Sequence, residues 1–316
     1  MANSVFNLSN LNGTNGFAIN GINAYELSGS SVSSVGDRSG NSVSSAGDIN
    51  GDGIADLIIG ADNASPNGDD SGQSYVVFGS KSGFGVQVNL STLNGTNGFV
   101  INGIKANDRS GFSVSSAGDI NGDGIDDLII GTDIEGSPSE LSEQGYVVFG
   151  SKSGFGSQFN LSTLNGTNGF AINSIKAGDF SRNSVSSAGD INGDGIADLI
   201  IGAHIEGSFG ELSEQGYVVF GSKSGFGAQF NLSTLNGTNG FAINTIKSYE
   251  DSGVSVSSAG DINGDGIADL IIRSDIVGPN GEPSQQGYVV FGSKSGFDAQ
   301  FNLSTLNGTN GFAINT

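Results

Sequence analysis

Short segments of strand-like pattern recur along this chain, and nowhere do apolar residues fall at the three-to-four spacing of a helix. Ser113-Val114-Ser115-Ser116 alternates. Leu128-Ile129-Ile130, between Asp127 and Gly131, is a continuous apolar run of the kind found in strands buried on both faces. Tyr146-Val147-Val148-Phe149 is β-branched and aromatic, hence strand-prone. Gly169-Phe170-Ala171-Ile172-Asn173 alternates again, behind the turn-forming Asn165-Gly166-Thr167-Asn168.

These four segments belong to one unit that repeats. Ser-Ala-Gly-Asp-Ile-Asn-Gly-Asp-Gly occurs four times, its first Asp at Asp48, Asp119, Asp190 and Asp261, a period of 71 residues. Tyr-Val-Val-Phe-Gly-Ser-Lys-Ser-Gly-Phe follows the same period from Tyr75, Tyr146, Tyr217 and Tyr288. A third element begins at Asn7, Asn89, Asn160, Asn231 and Asn302, so it has a fifth copy, and its first spacing is 82. The surplus matches a local near-duplication, Ser31–Asp37 before Ser42–Asp48.

A unit this regular cannot bury its own faces and must stack on its neighbours. Four short strands per unit predict an all-β fold, a β-propeller of four-stranded antiparallel blades. The alternative is a linear β-solenoid, whose rungs are usually much shorter than 71 residues. The expected organisation is one domain over 1–316, with repeats at 21–102, 103–173, 174–244 and 245–316 and an extra outer-strand element at 1–20.

Composition narrows the chemistry. Hydrophobic residues make up 35%, enough for a thin core of strands. With 32 acids against 11 bases the net charge is −21, which argues against nucleic acid and anionic membrane and favours divalent cations. There is no Cys, hence no thiolate site, and His204 is the single histidine. Met1–Phe6 has neither a basic nor an apolar segment of signal-peptide type, and no apolar run is long enough to span a bilayer.

The repeated Asp-x-Asn-x-Asp-Gly-x-x-Asp carries the chemistry. Its oxygens come from Asp48, Asn50, Asp52 and Asp56, with the Ile54 carbonyl as a fifth donor. The copies are Asp119, Asn121, Asp123, Ile125 and Asp127; Asp190, Asn192, Asp194, Ile196 and Asp198; and Asp261, Asn263, Asp265, Ile267 and Asp269. Alternate residues of a tight loop turn oxygens inward, as a hard cation taking six to eight of them requires. Gly53, Gly124, Gly195 and Gly266 permit the turn. Ca²⁺ at four sites is expected, ahead of Mg²⁺, which keeps its waters. An EF-hand is excluded, because the twelfth position is Ile59, Ile130, Ile201 or Ile272 where that loop needs Glu.

Residues 110–131, Ser-Gly-Phe-Ser-Val-Ser-Ser-Ala-Gly-Asp-Ile-Asn-Gly-Asp-Gly-Ile-Asp-Asp-Leu-Ile-Ile-Gly, resemble the FG-GAP repeat, the blade of the integrin α-subunit propeller. The Phe-Gly signature corresponds loosely to Gly111-Phe112. The Gly-Ala-Pro signature corresponds to Gly60-Ala61-Asp62, Gly131-Thr132-Asp133 and Gly202-Ala203-His204, with Arg273-Ser274-Asp275 departing further. The resemblance implies a propeller with Ca²⁺ in loops at one face, extracellular or at the cell surface, serving adhesion or ligand binding rather than catalysis. With no signal peptide seen, that location implies non-Sec secretion or a chain trimmed of its leader.

Integrin-type propellers have seven blades and this chain encodes four, so either it closes a four-bladed ring, the favoured expectation, or two chains or a longer parent complete a larger one. The near-identical segments 4–20 and 301–316 then compete for one outer-strand position, which predicts strand exchange and a homo-oligomer. The alternative function is accordingly a self-assembling structural subunit. The repeats differ mainly at Asp62–Gln73, Asp133–Gln144, His204–Gln215 and Asp275–Gln286, and in the connectors around Ala24–Gly36, Lys105–Gly111, Lys176–Arg182 and Lys247–Gly253. These are the places for a protein or glycan ligand. Tyr75 and its copies read as packing residues, and Lys81, Lys152, Lys223 and Lys294 as solvated turn residues.

Overall fold

The structure, a computed structural model, describes residues 7–21, 42–134, 143–175, 181–182, 184–206, 212–244, 255–277 and 283–314. The His204 side chain, the Ser31–Asp37 near-duplicate and most of the variable loops and connectors lie outside the described residues.

Each repeat forms a blade. In blade two the inner strand is Ser113–Gly118, the second Asp127–Gly131, the third Glu143–Val148 and the outer Gly169–Asn173, each antiparallel to the next. Blade one uses Val43–Gly47, Asp56–Ala61, Gln73–Val77 and Gly98–Asn102. Blade three uses Ser184–Gly189, Asp198–Glu206, Leu212–Val219 and Gly240–Asn244; blade four uses Ser255–Gly260, Asp269–Val277, Pro283–Val290 and Gly311–Ile314. The described helical residues are single 3-10 turns such as Leu161–Thr163.

One strand in each of blades one to three is not in the four-strand expectation. A three-residue segment from the following repeat joins the outer strand in parallel: Gln158–Asn160 on blade one, Gln229–Asn231 on blade two and Gln300–Asn302 on blade three. Its central phenylalanine packs, partly buried, against the core between the blades, while the flanking amides pair, as when Asn173 Nδ2 donates to Asn231 Oδ1 at 2.9 Å. The turn before the outer strand is built as its sequence suggests, with Asn165 N donating to Asn168 Oδ1 at 3.0 Å and Thr167 N to Asn165 Oδ1 at 2.8 Å.

The second strand shows why its apolar run is unbroken. Leu128 and Ile130 belong to the core shared with blade one, and Ile129 to the core shared with blade three. Each core lies between two blades, so no blade is stable alone. Rings fasten the outer rim: Phe170 stacks on Phe226 of the next repeat at 4.3 Å, and Phe99 on Phe155 at 4.1 Å. Tyr75, Tyr146, Tyr217 and Tyr288 are buried, as packing residues.

Inner strands of successive blades pack against one another in chain order. Among the described residues, no comparable packing joins the inner strands of blades one and four, and the sheets do not join into a closed ring. The extra N-terminal element has a defined place. Ala18–Asn20 pairs in parallel with Gln87–Asn89, and Phe17 stacks on Phe84 at 4.3 Å. It occupies, against blade one, the position each outer strand occupies against the following repeat. No helix among the described residues is long and apolar enough to cross a membrane.

Candidate metal centre

The acidic loops join inner to second strands. In loop one, Asp48 accepts from the backbone N–H of Asp52 at 2.9 Å through Oδ1 and of Gly53 at 2.8 Å through Oδ2. Asn50 Oδ1 accepts from Asp52 N, and Asp52 Oδ1 from Ile54 N, both at 2.9 Å. The same bonds recur in the loops at 119–127, 190–198 and 261–269. Gly53 has φ +83° and its copies +84° to +88°, a conformation that a Cβ would strain, which explains the glycine.

The ninth position behaves differently. Asp56, Asp127, Asp198 and Asp269 are buried at the start of the second strand. Asp127 accepts from Ile120 N at 3.0 Å and from Gly150 N at 2.8 Å, so it ties the loop to the end of the third strand. Burial pushes its carboxyl up to about 8, with the charges of Asp123 and Asp119 adding to the rise against the lowering effect of the amide bonds. Asp198 is pushed up to about 7 and Asp56 to about 6, burial again being the largest cause. Among the described residues no cation pairs with these carboxylates.

The fit to a hard cation is therefore good in donor type: three carboxylates, one amide and a carbonyl within nine residues, and a buried carboxylate with like charges beside it. Each carboxylate oxygen that accepts one amide keeps a second lone pair. The structure brings the donors of each loop into one turn. It does not draw three carboxylates to a common point at metal-binding distance, in any group among the described residues.

Successive loops touch, which places them on one side of the array. Ser151 N donates to Ile49 O at 2.9 Å, Ser222 N to Ile120 O at 2.8 Å and Ser293 N to Ile191 O at 2.9 Å. Ala197 N donates to Asp119 O, and Ala268 N to Asp190 O. A Cβ on Gly51, Gly122 or Gly193 would collide with the stem of Lys152, Lys223 or Lys294. These lysines are exposed as expected, yet their stems cover the preceding loop, a role unread in the sequence. The phase-locked Gly-Ser-Lys-Ser-Gly string was the available signal. Between blades one and two a further bond arises where Asp126 replaces the Ala of the other repeats: its Oδ2 accepts from Asp48 N at 2.7 Å.

The sequence profile of the FG-GAP repeat matches residues 39–77, 110–149, 182–220 and 252–291, half of the chain and the greater part of every blade. Among curated proteins, integrin alpha-4 of Xenopus laevis is 29% identical over 175 residues, which are 55% of this chain and 15% of that protein. The chain thus spans a small part of that relative's length.

Proposed function

The chain belongs to the FG-GAP repeat family, and on that premise we propose that it is a calcium-binding, extracellular β-propeller module for adhesion or ligand binding, forming one domain over 1–316. The observation that carries this reading is the fourfold recurrence of an acidic loop whose ninth carboxylate is buried, with no ion pair among the described residues to supply a positive charge. Calcium, when bound, supplies that positive charge and a demand for many oxygens. The chain's own residues do the rest. In each loop the first, third, fifth and ninth side chains would hold the ion with the seventh carbonyl, from Asp48, Asn50, Asp52, Asp56 and Ile54 onward through the copies. The amide bonds to the first and fifth carboxylates fix their oxygens in advance, and the bond from Gly150 to Asp127, with its equivalents, passes that order to the third strand.

The partner is a protein or glycan held by the variable loops. The integrin relative supports a protein partner and a cell-surface setting. Catalysis has little support: the groove of about 430 Å³ lined by Phe291, Phe297, Asn302 and Thr309 presents Asp298 with no second titratable group in its lining. Calorimetric titration of the calcium-stripped protein is expected to show about four ions per chain, with Asp123→Ala removing one, in the micromolar-to-millimolar range of extracellular modules. Absence of any calcium heat or retained metal would overturn the assignment. A second reading is a structural subunit that assembles by strand exchange, and the near-identity of residues 4–20 and 301–316 favours it.

A further inference from the structure

Each of the first three acidic loops is tied to the next through two consecutive residues of a turn. In blade two these are Gly150 and Ser151. Gly150 N donates to Asp127 Oδ1, at the ninth position of loop two, at 2.8 Å. Ser151 N donates to Ile49 O, in loop one, at 2.9 Å. Blade three repeats the pair, with Gly221 N on Asp198 Oδ1 and Ser222 N on Ile120 O, both at 2.8 Å. In blade four Gly292 N donates to Asp269 Oδ1 and Ser293 N to Ile191 O, both at 2.9 Å.

The isoleucine completes each connection. Ile49 N donates to Asp56 Oδ2 at 3.1 Å, and Ile120 N to Asp127 Oδ2 and Ile191 N to Asp198 Oδ2 at 3.0 Å. A continuous path of hydrogen bonds and peptide units thus runs from Asp56 through Ile49, Ser151 and Gly150 to Asp127. It continues through Ile120, Ser222 and Gly221 to Asp198, and through Ile191, Ser293 and Gly292 to Asp269. The three isoleucines are fully buried, so the path runs through a low-dielectric interior where its bonds are strong.

The glycines show how close the loops come. A Cβ on Gly150 would collide with the carbonyl of Asp126 in its own loop and press on that of Ile49 in the preceding one. On Gly221 it would meet the carbonyls of Ala197 and Ile120, and on Gly292 those of Ala268 and Ile191. None of these three glycines has a left-handed φ, so it is the space between two loops that requires them. A second tie joins each pair of loops. Ala197 N donates to Asp119 O at 3.3 Å, Ala268 N to Asp190 O at 3.1 Å and, where Asp126 stands, Asp48 N to Asp126 Oδ2 at 2.7 Å. The residue between the seventh and ninth donors of one loop therefore bonds to the first donor residue of the loop before it.

We propose that Gly150-Ser151, Gly221-Ser222 and Gly292-Ser293 are positioning residues shared by two loops, and that through them consecutive loops take up calcium cooperatively. This rests on the calcium reading and adds the coupling to it. When one loop is filled, its ninth carboxylate is held still, together with the glycine and isoleucine amides bound to it. The neighbouring loop then has less freedom to lose on filling, which raises its affinity. The element that both loops bias is the turn between them, ordered or not.

The test is amide hydrogen exchange of the full chain, read loop by loop by mass spectrometry across a calcium titration. The loops are told apart by the residues behind them, Ala61-Asp62, Thr132-Asp133, Ala203-His204 and Ser274-Asp275. Protection of the four should rise steeply over one narrow calcium range. Asp123→Ala, which removes an exposed donor of loop two, should move the midpoints of loops one and three about fivefold or more to higher calcium, and that of loop four by less. Without calcium, loops one and three should exchange alike in variant and parent; a difference already present there would mark a purely structural effect and overturn the proposal. Adding Gly221→Ala, whose methyl presses on Ala197 and Ile120, should abolish the shift at loop three and keep that at loop one. A loop-three shift that survives it would overturn the route through the Gly-Ser pair; if the double variant does not fold, the single one carries the test alone. Midpoints at loops one and three unmoved by Asp123→Ala would overturn the coupling and leave the calcium reading standing. No calcium-dependent protection in any loop would overturn both.

Discussion

Asp127 concentrates the energetics of the acidic loop. Its carboxyl is held by two backbone amides yet pushed up to about 8 by burial and by Asp123 and Asp119. A carboxyl whose folded pKa lies above its unfolded value of 3.8 stabilises the fold while protonated. That contribution is complete below about pH 4 and is lost as pH rises through 6, 7 and 8, the values of Asp56, Asp198 and Asp127. Calcium-depleted protein should therefore melt at a lower temperature at pH 8 than at pH 5, and saturating calcium should reverse the order, since the ion requires ionised carboxylates. Scanning calorimetry across that range decides it; a calcium-free midpoint that rises with pH would be the contrary result. Asp126→Ala removes the side-chain acceptor for Asp48 N and should cost about 1 kcal/mol in chemical denaturation. At this scale the turn was legible, because the spacing of its oxygen-bearing residues and glycines is a local property. The tie from Gly150 to Asp127 was not, since it joins the loop to a strand end 23 residues away.

The strands were readable for a related reason. Alternation in Ser113–Gly118 and the unbroken run in Asp127–Gly131 record one and two buried faces, and the core divides Leu128 and Ile130 from Ile129 accordingly. The parallel Gln-x-Asn strand escaped because three residues carry no period, and its partner lies in the preceding repeat. That strand and the stacked rings near it make the outer seam between blades. Phe170 is fully buried there, stacked on Phe226 and edge-to-face with Phe149. Phe170→Ala should cost about 3–5 kcal/mol and lower the unfolding midpoint in urea, the usual penalty for a large buried ring. A loss below 1 kcal/mol would show that the seam does not hold the blades together.

Among the described residues, four blades of closely similar sequence follow each other with loops aligned on one side, the first three loops each covered by a turn of the next blade. Loop four lacks that cover, and so does the apolar face beside it. The period of 71 revealed the unit and its stacking. The account rests on each acidic loop being held in order by an ion. Thermal unfolding of one preparation, in millimolar calcium and after exhaustive chelation at the same ionic strength, tests that most directly. The midpoint should fall by 10 °C or more on chelation and return when calcium is restored, since about four sites each contribute on the order of 1–3 kcal/mol. An unchanged midpoint and an unchanged β-sheet spectrum without calcium would contradict it.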